Sequence, residues 1–435
     1  MNPLYTAHEI QRQILLSETT LIITNEDLAP TVKKAIQLAK KNIPIISLNL
    51  RQSLPEGTIS FTELVKDNNT DLSVLKEVKR DCDDVAFLPY SSGTTGLPKG
   101  VQLTNRNIVS NCEQQNTELR QYAYTTANHQ DSTLVILPMF HSYGLGVLML
   151  HKMSVGLKLV TLPKFQPDTF LDALLIHRIN LLYLAPPMVL FLGSHPKVTP
   201  KHFENVTTVT SGAAPLPSTD IHRLFDRADG KIQFVQGYGL TETSPLVSIT
   251  PTGQNTYEDV GYALPNIEMR IVDGNLTNLG INEVGELLIK GPNVMKGYLK
   301  NPQANEEVFD GEWLRTGDIG KIDESGLLTI SDRLKELIKV KGYQVPPAEL
   351  ENVLKEHPAI LDAAVVGVPD EETGERPRAF IVLKQGVQAT NEEIIKFVSE
   401  RVAPYKKIKQ VSFLDSIPKS SSGKILRKDI KKQYC

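Results

Sequence analysis

Tyr90-Ser-Ser-Gly-Thr-Thr-Gly-Leu-Pro-Lys-Gly-Val101 is the stretch whose reading decides the fold. Two serines, two threonines and two glycines precede a single lysine, and an apolar run, Val85-Ala-Phe-Leu88, leads in. A loop of this composition wraps a polyphosphate with its backbone N–H groups and hydroxyls, and Lys99 counters the charge. Ser91, Ser92, Thr94 and Thr95 supply the hydroxyls, while Gly93, Gly96 and Gly100 allow close backbone approach. The spacing is neither that of a P-loop, where Ser or Thr follows the glycine-lysine pair directly, nor that of the dinucleotide fingerprint. A flexible turn would account for any three of these residues. It does not account for the whole string.

Four further strings follow in order: Gln236-Gly-Tyr-Gly-Leu-Thr-Glu-Thr243, Leu314-Arg-Thr-Gly-Asp318, Asp332-Arg-Leu-Lys-Glu-Leu-Ile-Lys-Val-Lys-Gly-Tyr343 and Pro418-Lys-Ser-Ser-Ser-Gly-Lys424. With the first, they resemble the adenylate-forming enzymes: acyl-CoA synthetases, 4-coumarate–CoA ligases, beetle luciferases and peptide-synthetase adenylation domains. The resemblance runs from end to end and is closest to the CoA ligases. It implies an adenine and magnesium segment, a ribose segment, an interdomain hinge and a catalytic-lysine loop, in that order. In the family the phosphate loop lies about twice as far from the N-terminus, so the resemblance also implies that the first part of the N-terminal domain is lacking. Uncovered sheet edges and apolar faces are then expected.

The periodicity predicts an α/β protein. Leu21-Ile-Ile-Thr24, Ile43-Pro-Ile-Ile-Ser47, Leu134-Val-Ile-Leu137, Leu157-Lys-Leu-Val-Thr161, Leu181-Leu-Tyr183 and Val206-Thr-Thr-Val209 alternate with helical patterns such as Ala29 to Lys41, the rhythm of a mainly parallel sheet. Met269 to Val272, Gly285 to Ile289 and Leu327 to Ile330 read as a β-rich subdomain. A small unit follows: a helix over Ala348 to His357, strands over Ala363 to Val368, Ala379 to Leu383 and Val411 to Leu414, and a helix over Asn391 to Val402 that Asn391 would cap. The expectation is a large N-terminal domain, residues 1–333, and a small mobile α+β C-terminal domain, residues 334–435.

The resemblance assigns roles residue by residue. Lys424 is the catalytic lysine that brings positive charge to a transition state joining two anions. Lys99 assists it at the phosphates. Glu242 is the magnesium ligand, since magnesium takes few carboxylates and several water and phosphate oxygens. Gln236, Gly237, Tyr238, Gly239 and Thr241 meet the nucleotide, with Tyr238 stacked on adenine. Asp318, an unpaired carboxylate, accepts the ribose hydroxyls, and Arg333 holds the same ribose. Gly212, Ala213 and Ala214, from Ser211-Gly-Ala-Ala-Pro215, lie between nucleotide and acyl group. His141 and Tyr143 flank the acyl pocket, where Gly144, Gly146, Ala213 and Ala214 leave room for an apolar tail or aryl ring. Lys335 is the hinge, and Lys339, Lys341 and Gly342 line the path of CoA. ATP, a carboxylic acid and CoA are the implied substrates, with Mg2+ accompanying ATP.

Bulk properties agree. The 435 residues suffice for two or three domains, and a net charge of −3 gives no reason to expect nucleic acid. From Leu334 onward 18 Lys/Arg face 14 Asp/Glu, a basic bias suited to the phosphates of ATP and CoA or to a solvated face. Cys82, Cys112 and Cys435 have no pairing or metal spacing, as in a reducing compartment. The apolar run Gly144 to Leu150 is too short to span a bilayer, so no transmembrane segment is expected. No signal-peptide pattern opens the chain, and Gln433-Tyr-Cys435 is no peroxisomal tripeptide, which makes the cytoplasm the expected location. A carboxylate–CoA ligase acting on a fatty or arylpropenoic acid is the leading expectation. A luciferase-like enzyme and a catalytically silent nucleotide-binding short form are the alternatives.

Overall fold

The computed structural model of the chain describes residues 1–48, 54–66, 71–91, 98–117, 125–254, 257–334, 336–340, 343–370, 373–402, 404–420 and 423–435. They divide into two compact units, residues 1–108 with 295–307 and residues 109–294 with 308–435. In the first, the helix Ala7–Ser17 starts in a capping box, Thr6 accepting from the Glu9 N–H while the Glu9 carboxylate accepts from the Thr6 N–H. Its Ile10 and Ile14 share a core with Val32, Ala35 and Ile36 of the helix Ala29–Leu38. The strands Ile22–Asn25, Ile45–Leu48 and Ile59–Ser60 form a parallel sheet. A second, antiparallel sheet joins Val85–Phe87, Tyr90–Ser91 and Gly297–Tyr298 to Lys99–Thr104.

The second unit holds three sheets. Its main sheet orders Tyr262–Ala263, Leu246–Ile249, Gln233–Gly239, Thr208–Ser211, Leu181–Leu184, Ser132–Val135 and Lys158–Thr161, the last five mutually parallel. Side chains alternate along it as strand geometry requires. Leu182 and Leu184 enter one core with Phe170, Val189 and Leu224 of the helices Pro167–Ile176, Pro186–Ser194 and Ser218–Arg227. Tyr183 and Val235 enter another, with Ile271, Leu287 and Ile289 of the second sheet. That sheet is antiparallel: Glu268–Val272, Gly285–Lys290, Trp313–Ile322 and Phe309–Asp310, with Leu328–Arg333 also pairing with Trp313–Ile322.

Beyond Asp332, Ile338–Val340, Tyr343–Val345, Ile360–Asp370, Gly374–Leu383 and Gln410–Phe413 build the third sheet around its own core. Leu350, Leu354 and Ile394 from the helices Pro347–Lys355 and Asn391–Ser399 pack on Val365 and Ile381. Ile430 of the helix Arg427–Tyr434 packs on Val366 and Phe380.

Two expectations need correction. The strands expected at 134–137 and 206–209 are Ser132–Val135 and Thr208–Ser211. Polar residues begin or end these strands because the ladder pairs them, Ser132 with Lys158 and Ser211 with Leu184 and Gln236. The cap of the helix Asn391–Ser399 is Thr390, not Asn391. The Thr390 hydroxyl accepts the Glu393 N–H at 3.2 Å and the Glu393 carboxylate accepts the Thr390 N–H at 2.8 Å, a reciprocal pair that Asn391 cannot make. The apolar run Gly144 to Leu150, read as too short to span a bilayer, lies within a largely buried π-helical turn, Tyr143–His151. Among the described residues no helix is long and apolar enough to cross a membrane.

In the first unit Ile59, Phe61, Leu64, Val65, Leu72, Val74, Leu75 and Val78 are exposed. Exposed apolar surface of this kind promotes association. The double variant Leu72→Glu, Leu75→Glu is expected to leave the melting temperature unchanged, because surface exchanges cost within about 0.5 kcal/mol. It should lower the apparent mass in concentration-dependent light scattering. Unaltered scattering would show that these side chains do not drive association.

Candidate active site

One cavity in the second unit gathers residues that are remote in sequence. His141 and Tyr143 enter from the π-helical turn, Gly212 and Ala213 from the end of Thr208–Ser211, Gly237 and Gly239 from Gln233–Gly239, Thr241 from the turn beyond it, and Lys424 from the C-terminal segment. Thr208–Ser211 and Gln233–Gly239 are adjacent and parallel, so their carboxyl ends open together, where α/β sheets place ligands. Ala213 has φ +77°, a conformation that costs an L-residue about 1–2 kcal/mol and that persists only where the surrounding structure over-determines it. Val147, Pro245, Leu246 and Ile249 supply apolar wall. The Ser211 hydroxyl, also on the wall, is buried without a protein partner.

Gly144 and Gly146 do not make room for a ligand, contrary to the sequence reading. A Cβ on Gly144 would collide with the Pro138 carbonyl, and one on Gly146 would lie 2.7 Å from Pro245 Cδ and 3.0 Å from Ser244 O. They are required by backbone packing of the π-helical turn, which is how that turn brings His141 and Tyr143 to the cavity. The Tyr143 N–H donates to His141 Nδ1 at 3.2 Å, and its hydroxyl donates to Thr210 O at 3.2 Å. Burial, with Lys424 nearby, lowers the His141 pKa to about 4. The ring is therefore neutral at pH 7. Because Nδ1 accepts, the proton sits on Nε2.

Charge is concentrated around Lys424. Burial and Arg333 pull its ammonium below the usual lysine range, opposed by Asp318, Glu242 and Glu336. Asp318 is not the unpaired carboxylate expected. Tyr238 donates to its Oδ2 at 2.7 Å, and Arg333 Nε lies 3.0 Å from Oδ1 across paired strands. Burial raises the Asp318 pKa against Arg333, Tyr238 and Lys424, and it raises Tyr238 well above the usual phenol value.

Residues 1–299 match the AMP-binding enzyme family, and residues 349–424 match the AMP-binding enzyme C-terminal domain. The chain belongs to the AMP-binding enzyme family. It is 41% identical over 441 residues to 4-coumarate–CoA ligase 2 of Nicotiana tabacum, covering 99% of this chain and 79% of that one. ATP-bound MatB from Rhodopseudomonas palustris superimposes with TM-score 0.87 at 27% identity, over 100% of this chain and 83% of its own. A benzoate CoA ligase from Burkholderia xenovorans gives 0.83 at 27%, over 99% and 83%. The protein falls among the AMP-forming acid–thiol ligases.

Against this family the remaining expected residues distribute as follows. Ser91 and Lys99 face each other across antiparallel strands of the first unit, with Lys99 Nζ 4.7 Å from the centroid of the Tyr298 ring and the Ser91 hydroxyl buried with no partner among the described residues. The Gln236 carboxamide is used within the fold, donating to Tyr257 O and Asp259 O at 2.9 and 3.0 Å. Glu242 sits in the turn Thr241–Thr243, and the Thr241 hydroxyl lies 3.4 Å from that of Ser142. Ala214 is not among the cavity-lining residues, and the Lys339 side chain is exposed. Ser92, Gly93, Thr94, Thr95, Gly96, Lys335, Lys341 and Gly342 lie outside the described residues.

The sequence reading missed Glu336 and Arg427. Arg427, three residues past Lys424, pairs with Glu336 at 2.6 Å and forks onto Glu351 at 2.8 and 2.9 Å. Nothing in the local pattern marks these as other than solvated charges.

The His141 ring should stay neutral between about pH 7.5 and about pH 5, read from its imidazole chemical shifts with His141→Gln for assignment. Since the unfolded ring titrates at its ordinary value, this group withdraws stability as pH falls from 6.5 towards about 4. A folded-state midpoint near 6.5 would contradict the burial argument.

Proposed function

We propose that the protein is an ATP-dependent carboxylate–CoA ligase that forms an acyl-adenylate and then an acyl-CoA thioester on a fatty or arylpropenoic acid. The observation that carries this reading is Lys424 in one cavity with neutral His141, beside the Asp318–Arg333 pair. In the first step a carboxylate oxygen attacks the α-phosphorus of ATP and pyrophosphate leaves. Two anions meet, and the partly desolvated Lys424 ammonium supplies opposing charge where a low dielectric makes it effective. The His141 Nε2–H is available to hold the acid's carboxylate oxygen. Asp318 meets the ribose diol by exchanging Tyr238 or Arg333 for the sugar hydroxyls. Tyr238 is proposed to stack on adenine.

Glu242 is the residue that would hold Mg2+, which with ATP bound neutralises phosphate charge; its carboxylate lies within the field of Lys424 and Arg333, as an anionic ligand among phosphate-binding cations should. In the second step the CoA thiolate attacks the acyl carbon and AMP leaves. Lys335, Lys341 and Gly342 are proposed for the domain rotation and thiol path. The apolar wall of Val147, Leu246 and Ile249 supports an acyl group without charge at its far end.

ATP–pyrophosphate exchange across medium-chain fatty, long-chain fatty and arylpropenoic acids tests the reading. Exchange should appear with at least one of them. Lys424→Ala should reduce it by about 10²–10³-fold while sparing thioester formation from preformed acyl-adenylate and CoA. No exchange with any acid in a folded protein would remove the ligase reading, and equal loss in both half-reactions would make Lys424 structural.

A further inference from the structure

A chain of alternating buried charges joins the parallel-sheet part of the second unit to the segment carrying Lys424. Arg223 Nη1 lies 2.9 Å from Asp220 Oδ1, both on the helix Ser218–Arg227. Asp220 Oδ2 is 3.0 Å from Lys355 Nζ, at the end of the helix Pro347–Lys355. The same Nζ is 3.1 Å from Asp362 Oδ1, and Asp362 Oδ2 is 2.5 Å from Lys419 Nζ. Each carboxylate thus gives one oxygen to each of two cations. Side-chain exposure falls to 1% at Asp220 and 8% at Lys355, so these groups are withdrawn from water. Burial pulls the Lys355 ammonium down, yet Asp362 and Asp220 outweigh it and raise it.

Lys419 stands at the base of the catalytic segment. It bridges Ile425, the residue after Lys424, and the Leu426 N–H donates to Pro418 O at 2.9 Å. The segment's tip presses on the helix Pro186–Ser194: a Cβ on Gly423 would lie 2.6 Å from Pro187 Cδ. We infer that Asp220, Lys355, Asp362 and Lys419 form a strap of positioning residues that holds Lys424 in the cavity for adenylate formation and must open before thioester formation. Removing one charge from a buried chain leaves its neighbour uncompensated, so the strap is closed or open rather than loosely made. No member touches the cavity.

The inference rests on the ligase reading, and its test has one arm that does not. Asp220→Asn keeps shape and removes the charge that faces Lys355. It should slow pyrophosphate exchange by about tenfold or more, leave thioester formation from preformed acyl-adenylate unchanged or faster, and be rescued in part by Asp220→Glu. Lys355→Met, similar in volume, should show the same split. In the ligand-free protein, hydrogen exchange should rise in residues 418–426 and in Pro186–Ser194 while Thr208–Ser211 keeps its protection. Equal slowing of both half-reactions, or a rise in exchange that spreads to Thr208–Ser211, would reduce the cluster to ordinary structural support and overturn the proposal. If the wild-type protein ligates none of the acids, the ligase reading falls and the exchange pattern alone decides the strap.

Discussion

A carboxylate buried between the main sheet and the antiparallel sheet sets the terms for the rest of the site. Asp318 belongs to the antiparallel sheet, takes a hydrogen bond from Tyr238 of the parallel sheet, and pairs with Arg333 just before the C-terminal portion begins. Such a charge is costly to bury unless compensated, and the two partners are what make it tolerable. The compensation fixes Tyr238 and Arg333 and leaves a field in which Lys424 can approach as a partly desolvated cation. An Asp318→Ala change would therefore disturb three elements at once, so a ribose contact could not be isolated by that substitution.

The same economy explains the glycines. Gly144 and Gly146 let a π-helical turn press against Pro138 and Pro245, and the cavity is a consequence of that close packing rather than of missing side chains. Ala213 takes the strained conformation on the opposite wall. Backbone geometry shapes the His141 side of the site, whereas charge shapes the Lys424 side.

What was legible in the sequence was what is local. The strings at Gln236–Thr243 and Pro418–Lys424 named Gly237, Gly239, Thr241 and Lys424, and the resemblance named His141; the cavity brings these together. The alternation of apolar runs gave the parallel sheet, with edges displaced by two residues where Ser132 and Ser211 carry strand pairing. Pairing between distant segments was not legible. Asp220 and Lys355 look like solvated charges on amphipathic helices, and only the packing of those helices buries them. Likewise Asp318 reads as an open carboxylate until the fold delivers Tyr238.

The central claim is that the cavity between His141 and Lys424 receives the acyl-adenylate. A crystal structure with a non-hydrolysable acyl-sulfamoyl adenosine tests it most directly. The acyl carbonyl is expected beside His141 and Ala213, the sulfamoyl group within hydrogen-bond distance of Lys424, and the ribose hydroxyls on Asp318. An analogue seated elsewhere, with Tyr238 and Arg333 both still on Asp318 and the cavity unfilled, would contradict it.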